Sequence, residues 1–158
     1  MDYIVRKAVE KDISGLCSIR NNEALFRSYL NQQESNQVIF TVAVTDDMHH
    51  LILGFGVLKL HGIHIPKLSD LYVKKEFRGR GVGSATIRYR EECAIELGYI
   101  EKFVSVDPVE NPKMIKLISK HGYQAISEPY PKKAVYYNED GSSYEKEYIR
   151  MDLKKKLL

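Results

Sequence analysis

Leu68-Ser-Asp-Leu-Tyr-Val-Lys-Lys-Glu-Phe-Arg-Gly-Arg-Gly-Val-Gly-Ser84 reads as a strand, a basic glycine-punctuated loop and the first turn of a helix that continues to Leu97. A helix start leaves its first backbone N–H groups unpaired and carries the positive end of the macrodipole, so this order makes an anion site. Gly79, Gly81 and Gly83 let that backbone come close to a ligand, and Arg78 and Arg80 add charge where the loop turns. The natural fit is a ligand carrying more than one phosphate group, a diphosphate above all.

Spacing separates this loop from two other phosphate loops. No glycine is followed at the required spacing by Gly-Lys-Ser/Thr, and a dinucleotide fingerprint would need a third glycine at Ser84 or Thr86, depending on register. What remains is Arg78-x-x-Gly81-x-Gly83 directly after a Leu-Tyr-Val strand, and this resembles the coenzyme A loop of the GNAT superfamily of N-acetyltransferases. The resemblance implies acetyl-CoA as co-substrate. Its pyrophosphate would lie on the loop and helix start formed by Arg78, Gly79, Arg80, Gly81, Val82, Gly83 and Ser84. Its pantetheine arm would pair with the main chain of Leu71, Tyr72 and Val73. Asn111, which opens a later helix, borders the same arm in the family; in this chain it serves equally well as a plain helix cap.

Outward from the loop, Tyr3 to Ala8 reads as a strand, and Glu10 and Asp12 begin a helix bearing Ile13, Leu16 and Cys17. After Asn21-Asn22 a second helical piece carries Leu25, Phe26, Tyr29 and Leu30. Gln37 to Thr45 and Leu51 to Leu60 form an antiparallel hairpin. The helix from Val82 should bury Val82, Ala85, Tyr89, Cys93 and Leu97 and end at Gly98. Ile100 to Val106 is the next strand, parallel to Leu68 to Val73 as a crossover through that helix requires. Asn111-Pro112 opens a helix closed by Gly122, with Met114, Leu117 and Ile118 on its inner face. A second hairpin turns at Asp140-Gly141, and its last strand runs from Tyr144 to Leu153. The expected fold is mixed α/β: a mostly antiparallel sheet with one parallel pair, flanked by helices, in a single domain spanning residues 1–158. This order also resembles the GNAT fold, with softer matches at Arg6-x-Ala8, Gly122-Tyr123 and Met151 to Lys154.

Composition is that of a soluble globular chain, with 44% hydrophobic and 28% charged residues, which excludes disordered and membrane-spanning classes. The opening Met-Asp-Tyr-Ile-Val-Arg matches neither a signal nor a transit peptide, so the expected location is cytoplasmic, as a monomer or homodimer. A net charge of +3, much of it from a solvated Lys154 to Lys156 tail, implies no nucleic-acid partner. Cys17 and Cys93 are expected as buried free thiols, and no residue spacing suggests a metal site.

Acyl transfer to an amine needs a positioned thioester, a neutral attacking nitrogen and a sulfur that can leave. Asp70 is the candidate base; many family members place a glutamate one residue earlier, where this chain has Ser69. Neighbouring strand residues face opposite sides, so a structural hydrogen-bond role for Asp70 stands beside the catalytic one. Glu23 is a weaker candidate for holding a cationic amine, and His61 and His64 read as surface residues. Many relatives carry a tyrosine seven residues after the helix-opening asparagine, where it can protonate the thiolate; this chain has Ile118. The expected function is transfer of acetyl from acetyl-CoA to a primary amine of a small molecule or peptide. The alternative is an acyl-CoA-binding sensor with little or no catalysis.

Overall fold

The computed structural model describes residues 2–137 and 142–157. Within these residues it forms two compact units, residues 2–102 with 156–157, and residues 103–137 with 142–155.

In the first unit, strand β1 (Tyr3–Lys7) leads through a short 3-10 turn at Glu10–Asp12 into helices α1 (Ile13–Ile19) and α2 (Glu23–Glu34). Asn22 caps α2 by accepting a hydrogen bond from the Leu25 amide, which is why the paired asparagines break the helical run. The Arg6 guanidinium donates to both Asp12 carboxylate oxygens, at 2.8 and 2.9 Å. Burial pushes the Asp12 carboxyl up, but Arg6 and the Val9 amide outweigh it and hold the group below its usual range.

Strands β2 (Val38–Thr45), β3 (Ile52–Lys59) and β4 (Lys67–Val73) follow, and β1 to β4 pair antiparallel in chain order. Every residue of β2 is buried. Val38, Phe40, Val42 and Val44 enter one apolar cluster with Leu16, Phe26 and Phe55, whereas Ala43 enters another with Leu53 and Val82. A strand covered on both faces reads as a continuous apolar run. Each fully buried large side chain of this kind contributes about 1.5–3 kcal/mol.

Helix α3 (Val82–Glu96) ends at Gly98, whose φ of +91° suits glycine. Its inner face differs from the apolar stripe expected. Leu97 is exposed, while Thr86, Ile87, Arg90, Glu91 and Ala94 are buried with Val82 and Cys93. A hydrophobicity reading assigns Arg90 to solvent, and in this fold Arg90 is fully buried because backbone carbonyls receive it. Cys93 is a buried free thiol as expected, but Cys17 is only half-buried.

The strand β5 (Glu101–Val106) continues into the second unit, which holds α4 (Pro112–Lys120), β6 (Gln124–Ala125), β7 (Tyr130–Tyr137) and all but the last residue of β8 (Ser143–Lys156). There β8 lies between β5 and β6 and also pairs antiparallel with β7. Lys154 to Lys156 belong to β8 and are not a free tail: Lys154 pairs with Gln124, and the Lys155 ammonium lies 5.8 Å from the Tyr123 ring centroid. The turn expected at Asp140-Gly141 lies outside the described residues. Among the described residues no helix is long and apolar enough to cross a membrane, and no group of three or more His, Cys, Asp or Glu could hold a metal ion.

Candidate active site

After β4 the chain makes a 3-10 turn at Lys75–Phe77 and then the loop into α3. Gly79 and Gly81 have φ of +76° and +85°, a region L side chains rarely adopt, and a Cβ built on either would meet nothing within 4 Å. Glycine is required here for the backbone path, and that path leaves open space over the loop. Gly81 is the N-cap of α3, and no side chain caps the helix. The first turn therefore starts with Val82, Gly83 and Ser84, and the N-cap glycine offers it no side-chain hydrogen bond. Arg78 folds back so that Nε donates to the Val73 carbonyl at 2.8 Å and its guanidinium lies 5.2 Å from the Tyr72 ring. Arg80 lies over Phe77 at 5.6 Å. Both cations are held on aromatic faces beside the glycine loop.

The upper part of β4 is irregular. Phe55 pairs with Tyr72 and Val57 with Ser69, so Asp70 and Leu71 together lie opposite Gly56. This is a β-bulge, which turns side chains out of strict alternation. Asp70 takes a φ of +43°, the left-handed region that a short polar side chain tolerates. Its carboxylate accepts from Arg20 Nη1 at 3.0 and 3.1 Å and from the Tyr29 hydroxyl at 2.6 Å. Glu23 instead pairs with Arg27 within α2 and is exposed.

Arg90 holds the bulge from α3. Its Nη1 donates to the carbonyls of Val57 at 2.9 Å and Ser69 at 3.2 Å, and Nε donates to Thr86 at 3.1 Å. A Cβ on Gly56 would stand 2.8 Å from the Arg90 Cζ, so glycine makes room for the guanidinium. Arg20 lies over two rings, 5.0 Å from Phe55 and 5.5 Å from Tyr72. No short motif contains Arg20, Tyr29 or Arg90, and their partners here lie far along the chain.

Burial, and then the hydrogen bond to Asp70, hold the Tyr29 phenol well above its ordinary value of about 10. The unfolded chain ionises this phenol near that value while the folded chain keeps it neutral. The resulting stabilisation is complete below about pH 10 and is lost as pH rises toward the folded value. Tyr29→Phe should therefore flatten the alkaline decline in stability and cost about 1 kcal/mol at neutral pH. Thermal melts from about pH 8 to 11 check this; an unchanged alkaline decline would contradict it.

In the second unit, Asn111 caps α4, its side chain accepting from the Met114 amide at 3.3 Å. Ile118 is fully buried, and its carbonyl receives the Tyr123 amide. A tyrosine at position 118 would have to fit a fully buried position.

A family model described as the acetyltransferase (GNAT) family matches residues 6–123. Among solved structures, an N-acetyltransferase from Staphylococcus aureus Mu50 is 16% identical, with a TM-score of 0.73 over 100% of both chains. A GNAT superfamily phosphinothricin acetyltransferase from Sinorhizobium meliloti, solved with acetyl-CoA, is 17% identical, with a TM-score of 0.72 over 99% of this chain and 89% of that one. The PaiA N-acetyltransferase from Thermoplasma acidophilum, solved with coenzyme A, is 16% identical, with a TM-score of 0.70 over 99% of each chain. A search of curated proteins returned no match. At these identities the structures show a shared fold, and the matched span covers most of the sequence: the chain belongs to the GNAT acetyltransferase family.

Proposed function

We propose that this chain is a single-domain N-acetyltransferase that moves an acetyl group from acetyl-CoA to a primary amine by direct attack. The observation that carries the reading is the start of α3, where Gly79 and Gly81 in left-handed conformation expose a helix N-terminus that no side chain caps. Arg78, Arg80, Val82, Gly83 and Ser84 complete a cradle for the pyrophosphate, and Leu71, Tyr72 and Val73 line the path of the pantetheine arm. Asn111 keeps its capping role at the start of α4. Bound acetyl-CoA supplies an activated acyl group whose thiolate can leave.

Asp70 is the acceptor for hydrogen bonds from the incoming ammonium and for its first proton. The N–C bond forms as the C–S bond breaks, and the second proton from nitrogen ends on the coenzyme A sulfur. With Ile118 in place of a phenol, water delivers that proton. Two solved relatives hold acetyl-CoA or coenzyme A, which supports the same co-substrate here.

Gly81→Val should weaken acetyl-CoA binding about tenfold or more, because a β-branched residue opposes the left-handed backbone and its side chain occupies the approach to the helix start. Isothermal calorimetry measures this, and parent-like affinity in the variant would remove the loop from the site. Thiol release across a panel of amines then tests transfer. Binding without release from any amine would favour a second reading, an acyl-CoA-binding module, which the absence of a phenol at Ile118 also supports.

A further inference from the structure

We infer that the acceptor is a small amino acid, held with its carboxylate on Arg20 and its ammonium on Asp70. This rests on the acetyltransferase reading and names the substrate class of the same site. Arg20 is fixed at both its backbone and its guanidinium. It follows α1 with its amide bonded to the Leu16 carbonyl, and its own carbonyl accepts the Asn22 amide at 2.8 Å, so the backbone is held on both sides. The guanidinium lies over the Phe55 and Tyr72 rings, and only Nη1 is engaged by Asp70. Among the described residues, Nε and Nη2 form no hydrogen bond. A guanidinium presents its donors as a rigid fork, and the Nε–Nη2 edge matches the two oxygens of a carboxylate.

Charge points the same way. Asp70 meets any incoming amine beside the Arg20 cation, at 3.0 Å, so the pair carries no net charge. A polyamine or other polycation would be repelled by Arg20 as strongly as it is attracted by Asp70. A zwitterion reverses both signs and lies across the pair with each charge opposite its complement. Tyr29 completes the arrangement: its hydroxyl donates to Asp70 Oδ2, which also accepts from Arg20, whereas among the described residues Oδ1 accepts from Arg20 only. Oδ1 thus retains the greater accepting capacity for an ammonium. Both Arg20 and Asp70 keep part of their side-chain surface exposed, at 36% and 20%, so the pair is reachable. A fork already fixed over aromatic faces loses little freedom when a ligand binds.

The test compares alanine and glutamate with their carboxamides, and with spermidine, as acceptors in a thiol-release assay. The parent chain should use the free amino acids about ten- to hundredfold better in kcat/KM than the carboxamides, the worth of a charge-assisted contact. In Arg20→Gln that ratio should fall to about one, and Arg20→Lys, which keeps the charge but not the fork, should restore part of it. Equal or better use of the carboxamides or of spermidine by the parent would overturn the inference while leaving acetyl transfer intact. The same ligand pairs are titrated by calorimetry into the parent chain with coenzyme A present. Tighter binding of the amino acids supports the inference even where no transfer occurs, and equal binding overturns it. Failure of all amines in transfer, with acetyl-CoA bound, counts against the acetyltransferase reading alone.

Discussion

Arg90→Ala lowers the unfolding free energy by about 3–5 kcal/mol, the sum of a cavity and of buried carbonyls deprived of their donor. The side chain is fully buried, and its guanidinium bonds Val57 and Ser69 on the two strands that meet at the bulge. Urea unfolding should show a lower midpoint with an unchanged slope. Gly56→Ala strikes the same group from the other side, because its Cβ would stand 2.8 Å from the Arg90 Cζ. Alone it should cost about 1–3 kcal/mol through overpacking. Combined with Arg90→Ala it should cost much less, since the clash partner is gone, and a double-mutant cycle measures that coupling. Strict additivity would mean that the two residues do not meet in solution as the structure places them.

The second large effect is on rate. Asp70→Asn should reduce acetyl transfer at neutral pH by about 10²–10⁴-fold, the range associated with a positioned acid or base. Asparagine tolerates the φ of +43° and still offers a carbonyl to Arg20, so the bulge persists while the charge is removed. The deficit should narrow above the acceptor amine's own pKa, where the free amine already dominates. A rate profile against pH separates this from a structural role, for which the loss would be the same at every pH and would accompany a lower melting temperature.

Much of the fold was legible because its signals are local. Asn22 and Asn111 were readable as helix boundaries, and each caps the helix that follows through a backbone amide three residues on. The runs around Val38–Thr45 and Ile52–Lys59 were readable as strands because both faces of each are buried. The inner face of α3 departs from apolar periodicity, which places an arginine outside, because the carbonyls of two other strands receive Arg90 inside. The sequence offers Asp70 as a candidate but not the side it faces, because alternation along a strand holds only where the register does.

The sequence by itself determined the α3 loop: positive φ at Gly79 and Gly81, a helix start without a capping side chain and the flanking arginines follow from neighbouring residues and the strand–loop–helix order. Only the tertiary structure decided the company Asp70 keeps. Arg20 and Tyr29 lie 50 and 41 residues away along the chain, and the bulge opposite Gly56 turns the carboxylate toward them. Backbone conformation is specified over a few residues, whereas a contact across such separations depends on strand register and on the packing of α1, α2 and α3 against the sheet, which no local pattern records.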